Sequence, residues 1–322
     1  MGELGVSGGD LRRRAVALRF AGVLLFSLTS TEATLAQTAG VTLPGKIQTV
    51  FVIVMENRSW PSVKGSPLAP YINGTLLPIG AHAERYYKPH GASSSLPIYL
   101  WMEAGGSVGI WGDAPPTAKS ASTTNHLVTR LKNLGITWKG YFGGIGSTTC
   151  PLDDAFPYTV RHNPFVYFND VTDNLDPNSA YCIAHIRPLT ELATDVAQGT
   201  VAQYNFIVPD LCHDMHSVCW GQNPILAGDT WLAANLPGIL SSEAYLTGGA
   251  VFITWDEPEE LSDRPVGMIV VSPYAKHGYS NWLQYDNSTL LRTVEEIVGI
   301  DPVLPDDIGH NADLSDLFAA FP

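Results

Sequence analysis

Residues Thr49 to Trp60 read TVFVIVMENRSW, and the five apolar residues from Val50 to Val54 constrain the fold more than any other stretch. An unbroken apolar run of this length, rich in β-branched side chains and cut off by polar residues, reads as a strand buried on both faces, as in the middle of a parallel sheet. A second such run, AVFITW from Ala250 to Trp255, ends in Asp256 and Glu257, as the first ends in Glu56 and Asn57. Alone, either polar pair is read equally well as turn chemistry, with Asn57 and Ser59 capping the next turn of the chain. Together, two buried strands bring adjacent oxygen donors to the carboxyl edge of a sheet, where open α/β folds place their sites. Carboxylates with a carboxamide suit one hard divalent cation.

The rest of the chain supplies the same alternation. Thr137–Phe142, Gln203–Pro209 and Gly267–Val271 read as further strands, and Thr124–Leu134, Leu189–Gln198, Asp229–Leu240 and Ser288–Val298 as helices. The expected architecture is α/β, a mostly parallel central sheet flanked by helices on both faces. With 45% apolar residues and neither repeat nor linker, residues 37–322 read as a single domain. Within it, Ser93, Ser94 and Ser95 precede Leu96, Pro97 and an apolar stretch stopped by Gly105, the pattern of a capped helix start with proline in the first turn. A serine there is ordinarily a cap, yet free amides and the helix dipole at that point also favour an anion.

Charge and cysteine usage narrow the function. Charged residues are 15% of the chain, acids outnumber bases 31 to 18, and no basic run occurs beyond the N-terminus. Nucleic-acid binding and charge-driven adhesion to anionic membranes are thereby disfavoured. Residues 1–36 carry Arg12, Arg13 and Arg14, an apolar run from Phe20 to Leu28 and small residues to Ala36, which reads as a signal peptide for export to the periplasm or beyond. That run is too short for a stable membrane anchor. In an exported chain, four cysteines imply two disulfides. Cys212 and Cys219 are close enough to staple one loop, leaving Cys150 with Cys182; zinc is the alternative, but no CxxC or matching histidine pair is present. The stapled loop, PDLCHDMHS, gathers Asp210, His213, Asp214 and His216 behind a strand. His162, in RHNPFVYF, is read either as a ligand or as a loop histidine bonded to backbone.

The segments FVIVMENRSW, SSLPIYLWMEAG, RHNPFVYF, IVPDLCHDMHS, AGDTWL, FITWDE, VVSPYAKHG and LLRTVEEIVG resemble, in order and spacing, the bacterial and fungal phosphoesterase family that contains acid phosphatases and phospholipases C. The resemblance spans roughly residues 47–320. It implies an alkaline-phosphatase-like fold, one divalent metal ion such as Ca, Mg, Mn or Fe, and a serine or threonine nucleophile that becomes phosphorylated. Carried over by motif, Glu56, Asn57, Asp256 and Glu257 would ligate the metal and Ser95 would be the nucleophile. His216, with Asp210 and Asp214, would contact phosphate or complete the metal shell, and His162 with Asn163 would line the pocket. Where the family reads HPSLPNY, this chain has Ser93 for the histidine and Ile98 for the asparagine; His90, three residues upstream, is the replacement candidate. The implied function is an exported acid phosphatase acting on phosphomonoesters. A phospholipase C acting on phosphodiesters and a secreted binding protein of the same fold without turnover are the alternatives.

Overall fold

The computed structural model describes residues 41–259, 263–301, 304 and 313–322, so the signal peptide read over 1–36 lies outside the described residues. Eight strands form one sheet: β1 Thr49–Met55, β2 Ala81–Tyr87, β3 Trp138–Phe142, β4 Ile186–Pro188, β5 Tyr204–Val208, β6 Gly249–Trp255, β7 Met268–Val271 and β8 Tyr279–Asp286. Their order is β4-β3-β5-β1-β6-β7-β2-β8. Every pairing is parallel except the two made by β7, which runs antiparallel to β6 and β2. All seven residues of β1 and of β6 are buried, so both faces of the sheet centre are covered, as an unbroken apolar strand requires. The expected α/β architecture with a mostly parallel sheet is the one observed.

Five helices of seven or more residues occur among the described residues: α1 Ser95–Ala104, α2 Leu127–Leu134, α3 Leu192–Gln198, α4 Pro224–Leu240 and α5 Asn287–Val298. Helix α1 packs against α5, and α3 against α4. Two starts differ from the sequence reading because side chains outside the apolar pattern cap them. Helix α4 begins at Pro224 rather than Asp229, since Asn223 Oδ1 accepts from the amides of Ile225 (3.0 Å) and Leu226 (3.3 Å). Helix α5 is capped by Asp286 rather than Ser288. Strands β2, β4 and β8 do not emerge from the sequence pattern. In β2, AHAERYY, the polar His82 and Glu84 are buried because Trp60 Nε1 donates to Glu84 at 2.9 Å while Lys64 and His82 also meet that carboxylate. Strand β4 has three residues and ends in proline, and β8 is an edge strand with Trp282 and Leu283 exposed.

Helix α1 is fixed at both ends, and every one of its residues is buried. At its C-terminal end Glu103 Oε1 accepts the Val128 amide (2.9 Å) and lies 2.8 Å from His126 Nδ1, while His126 Nε2 lies 3.0 Å from Asp170 Oδ1. The imidazole is fully buried and stacked on Phe168 at 3.9 Å. Burial alone would lower its pKa, but the two carboxylates outweigh burial and raise it to about 9, so both ring nitrogens donate. The charge at His126 therefore joins α1 to the start of α2 and to the segment bearing Asp170.

Removing one partner of a buried ion pair leaves the others uncompensated, which costs about 3–5 kcal/mol. His126→Ala is expected to lose about that much stability in urea unfolding at pH 6. Because the folded pKa lies above the unfolded value of about 6.5, this advantage of the wild type is complete below that pH and fades as pH rises through about 9. A difference between the two proteins that stays constant from pH 6 to pH 10 would contradict a charged His126.

Candidate active site

Three neighbouring strands, β5, β1 and β6, send a buried carboxylate to the same edge. Register pairs Met55 with Trp255, so the next residues, Glu56 and Asp256, leave the sheet side by side. Asp214 reaches them because the loop after β5 folds back, its carbonyl accepting the Glu56 amide at 2.7 Å. The Cys212–Cys219 disulfide closes that loop, and Cys150–Cys182 is the second bridge, the pairing expected from the spacing. Glu56, Asp214 and Asp256 are each no more than 1% exposed. Burial, then Asp256 and Asp214, holds the Glu56 carboxyl well above the usual range. Burial also pushes Asp214 up to about 7 and Asp256 up to about 6.

Each of these aspartates is only half satisfied. Asp256 Oδ1 accepts the amides of Asn57 (2.9 Å) and Glu257 (2.6 Å), and Asp214 Oδ1 accepts that of His216 (2.9 Å). The Oδ2 atoms of both are buried without a hydrogen-bond partner. Asn57 adopts φ +34° and its Nδ2 donates to Glu257 Oε1 at 3.2 Å; burial and the neighbouring Asp256 raise Glu257 to about 7. Among the described residues, no three His, Cys, Asp or Glu side chains are already drawn around one metal position. The fit to a hard cation lies instead in donor chemistry: all-oxygen groups, two orphaned carboxylate oxygens, and like charges that burial forces together.

Ser95 opens α1 against this cluster. It is 6% exposed, and its Oγ lies 3.5 Å from Glu56 Oε2. Ser94 holds the N-cap position without a side-chain cap bond; Asp113 Oδ1 takes the Leu96 amide instead, at 3.0 Å. One turn along the helix, Tyr99 donates to Glu56 Oε1 at 2.6 Å and stacks on His162, with ring centroids 5.3 Å apart. His162 Nε2 lies 3.2 Å from the same oxygen but lacks hydrogen-bond alignment. Burial, then Arg161 and His216, lowers its pKa well below the usual value, so this imidazole is neutral. Asn163, also buried, donates to Tyr158 Oη at 3.2 Å and leaves its own Oδ1 without a partner.

The remaining sequence candidates fall at different distances from this group. His216 is exposed, and its pKa is lowered by partial burial, then by Arg58 and Arg161. Asp210 shapes the turn, its Oδ1 accepting the Cys212 amide (2.9 Å) and facing His213 Nδ1 (2.7 Å). Ser93 is exposed, and so is His90, which lines a pocket of about 300 Å³ with Lys88, Arg264 and Gln284. The structure thus gathers Glu56, Ser95, His162, Asp214 and Asp256, with Asn57 and Glu257 alongside. Sequence reasoning misses Tyr99, Arg58, Arg161 and Asp113. Tyr99 has a usable signal, since residues four apart share a helix face; the arginines flank motif residues Asn57 and His162; Asp113 arrives by a long-range contact with no sequence signal.

Comparison with known proteins identifies the family and the fold. The phosphoesterase family model matches residues 79–301. The chain is 26% identical over 256 residues to a phosphatidylinositol-3-phosphatase of Mycobacterium tuberculosis, covering 78% of this chain and 77% of that protein. It is 29% identical over 173 residues to a phosphate-repressible acid phosphatase of Penicillium chrysogenum, covering 52% of this chain and 39% of that protein. A probable acid phosphatase of Kluyveromyces lactis is 24% identical over 256 residues, covering 76% and 56% respectively. The chain therefore spans about half or less of the length of these fungal relatives. In fold it is similar to an alkaline phosphatase superfamily protein from Vibrio parahaemolyticus (TM-score 0.54, 11% identity, 86% and 73% covered). It is also similar to a phosphonate monoester hydrolase of Agrobacterium radiobacter (TM-score 0.53, 9% identity, 85% and 78% covered). With a family match across more than half its length and a fold shared with the alkaline phosphatase superfamily, the chain belongs to the phosphoesterase family and is a phosphoester hydrolase.

Proposed function

We propose that the chain is an exported, metal-dependent phosphatase that cleaves phosphomonoesters through a phosphoserine formed on Ser95. The observation that carries this reading is the position of Ser95: first residue of a buried ten-residue helix, with its hydroxyl facing Glu56 at the carboxyl edge of the sheet. Attack of Oγ on phosphorus, its proton passing to Glu56 Oε2 to which it already donates, forms the Ser95–phosphate bond and breaks the ester P–O bond, the leaving alkoxide taking a proton from solvent or a solvent-exposed acid. Water then attacks the phosphoserine, releasing phosphate and restoring the hydroxyl. Glu56 Oε2 orients the serine hydroxyl, while Tyr99 holds the opposite oxygen of the same carboxylate. With the Leu96 amide taken by Asp113 and no N–H on Pro97, the positive end of the α1 dipole at Ser95 is what favours the charge that develops on phosphate. His216, exposed and on the loop that carries Asp214, would hand a proton to the leaving alkoxide when protonated, which its lowered pKa confines to acidic pH.

The residues that would hold a divalent cation are Glu56, Asn57, Asp256 and Glu257. Such an ion would polarise a phosphoryl oxygen and lower the pKa of the serine hydroxyl. The names of the relatives favour the monoesterase reading over a phospholipase C, and the mycobacterial one puts phosphoinositides among the substrates to test. The four cysteines, joined in two bridges, support export.

Two outcomes are expected. Ser95→Ala abolishes hydrolysis of p-nitrophenyl phosphate with little change in Tm, because its Oγ donates to Glu56 only at a long 3.5 Å; losing a nucleophile removes several orders of magnitude in rate. Ser94→Ala keeps most activity, and Ser93→His raises turnover if the family histidine limits the rate. An active Ser95→Ala enzyme, or phosphate trapped on Ser93 or Ser94, overturns the assignment. Separately, Asp256→Asn keeps an acceptor for the Asn57 and Glu257 amides but removes the charge, so calorimetric titration with Mg, Mn or Ca should show weakened binding while circular dichroism is unchanged. Undiminished binding would place the metal elsewhere.

A further inference from the structure

We infer that Arg58 and Arg161 form a cationic clamp on the non-bridging oxygens of the substrate phosphate, and that this clamp selects dianionic monoesters over monoanionic diesters. The inference rests on the phosphoester reading of the Ser95 site and adds to it two residues and a basis for choice of substrate.

Arg58 comes directly after Asn57 and is half-buried. Its Nη1 donates to the Asn57 carbonyl at 2.9 Å, but its Nε is buried with no partner. Glu259, the carboxylate whose charge it feels most, accepts instead from the amide and hydroxyl of Ser59. Arg187, by contrast, grips Glu191 through Nε (2.8 Å) and Nη2 (2.7 Å), and Arg292 Nε meets Glu296 at 2.7 Å. A desolvated guanidinium donor without an acceptor is costly, and such groups in native structures call for an unseen partner.

Arg161 precedes His162 and comes from a different loop. Its Nη1 donates to Thr159 Oγ1 at 2.9 Å, while its Nε stands 3.7 Å from Asp113 Oδ2, beyond hydrogen-bond reach. The other Asp113 oxygen holds the Leu96 amide, next to Ser95, so Arg161 is one carboxylate away from the start of α1. The two loops that carry these cations meet at one carboxylate: Arg58 follows Glu56 by two residues, and Arg161 adjoins His162, whose Nε2 lies 3.2 Å from Glu56 Oε1.

Charge supplies the reason for a clamp. Glu56, Asp214, Asp256 and Glu257 crowd the edge, and the whole chain is at −13, so an approaching phosphate dianion meets repulsion unless fixed cations offset it. A phosphomonoester has a second pKa near 6 and is largely dianionic at pH 7, with three non-bridging oxygens; a diester has one charge and two such oxygens. Guanidinium forks match these oxygens in pairs, as an ammonium does not. Two forks thus gain more from the monoester.

The test compares kcat/KM for p-nitrophenyl phosphate and bis(p-nitrophenyl) phosphate in the wild type, Arg58→Gln, Arg58→Lys and Arg161→Gln, with the inhibition constant of inorganic phosphate and Tm for each. Loss of a charge-assisted contact corresponds to about a 10- to 100-fold change. The glutamine variants should lower monoester kcat/KM by about that factor and weaken phosphate inhibition similarly, leave the diester nearly unaffected, and Arg58→Lys should recover part of the loss. Equal losses on both esters, or unchanged phosphate inhibition in stable variants, would make the arginines structural and overturn the clamp. Phosphate binding to Ser95→Ala separates the two readings. If that variant hydrolyses esters, the nucleophile assignment fails, while the effect of the arginine changes on phosphate binding still decides the clamp.

Discussion

Three buried carboxylates held side by side by β5, β1 and β6 are the constraint on which the site depends. Parallel pairing fixes Glu56 beside Asp256 with no freedom to separate, because slipping the register by one residue would turn every buried side chain of β1 to the other face. A sheet edge this rigid stores unfavourable charge that water would otherwise screen. Burial answers part of it by raising all three pKa values. The rest is answered by backbone amides of Asn57, Glu257 and His216 on one oxygen of each aspartate, which leaves the second oxygens for a ligand.

Helix α1, which carries Ser95, is held to that edge by side chains rather than by helix propensity. At its start Asp113 takes the Leu96 amide, and at its end Glu103 is bound by His126 and Val128. Between these points Tyr99 reaches Glu56, so the carboxylate nearest the serine is fixed by a residue of the serine's own helix. A helix clamped in this way cannot tilt without breaking a buried polar contact, and breaking one costs more than the contact itself contributes. In the proposed mechanism such rigidity would serve precise placement of the Ser95 hydroxyl near phosphorus.

Whether an element is legible in the sequence depends on whether its signal is local. Strands β1, β5 and β6 announce themselves because burial on both faces demands continuous apolar residues, and the polar residues that end β1 and β6 mark the site. Strand β2 does not, because its burial of His82 and Glu84 depends on Trp60 and Lys64, which precede it. Helix starts at Pro224 and Asn287 escape the pattern for the same reason, since caps act outside the hydrophobic period. Asp113 and the buried bonds of His126 join residues 17 to 44 positions apart, a scale on which periodicity says nothing.

The departures from the family motif at Ser93 and Ile98 take on meaning from their surroundings. Ile98 is fully buried, and its carbonyl accepts Asn287 Nδ2 at 3.4 Å, so the backbone at this position ties α1 to the start of α5. Ser93 is exposed and outside the cluster. Polar chemistry lost from this side of the site is therefore not replaced from the same strand-to-helix turn. Across the site, His162 follows Arg161 on one loop and His216 lies on the separate loop that carries Asp214. Under the proposed clamp the guanidinium groups would bind anionic oxygen, and His216, the exposed one of the two imidazoles, would be the one open to exchange a proton with solvent.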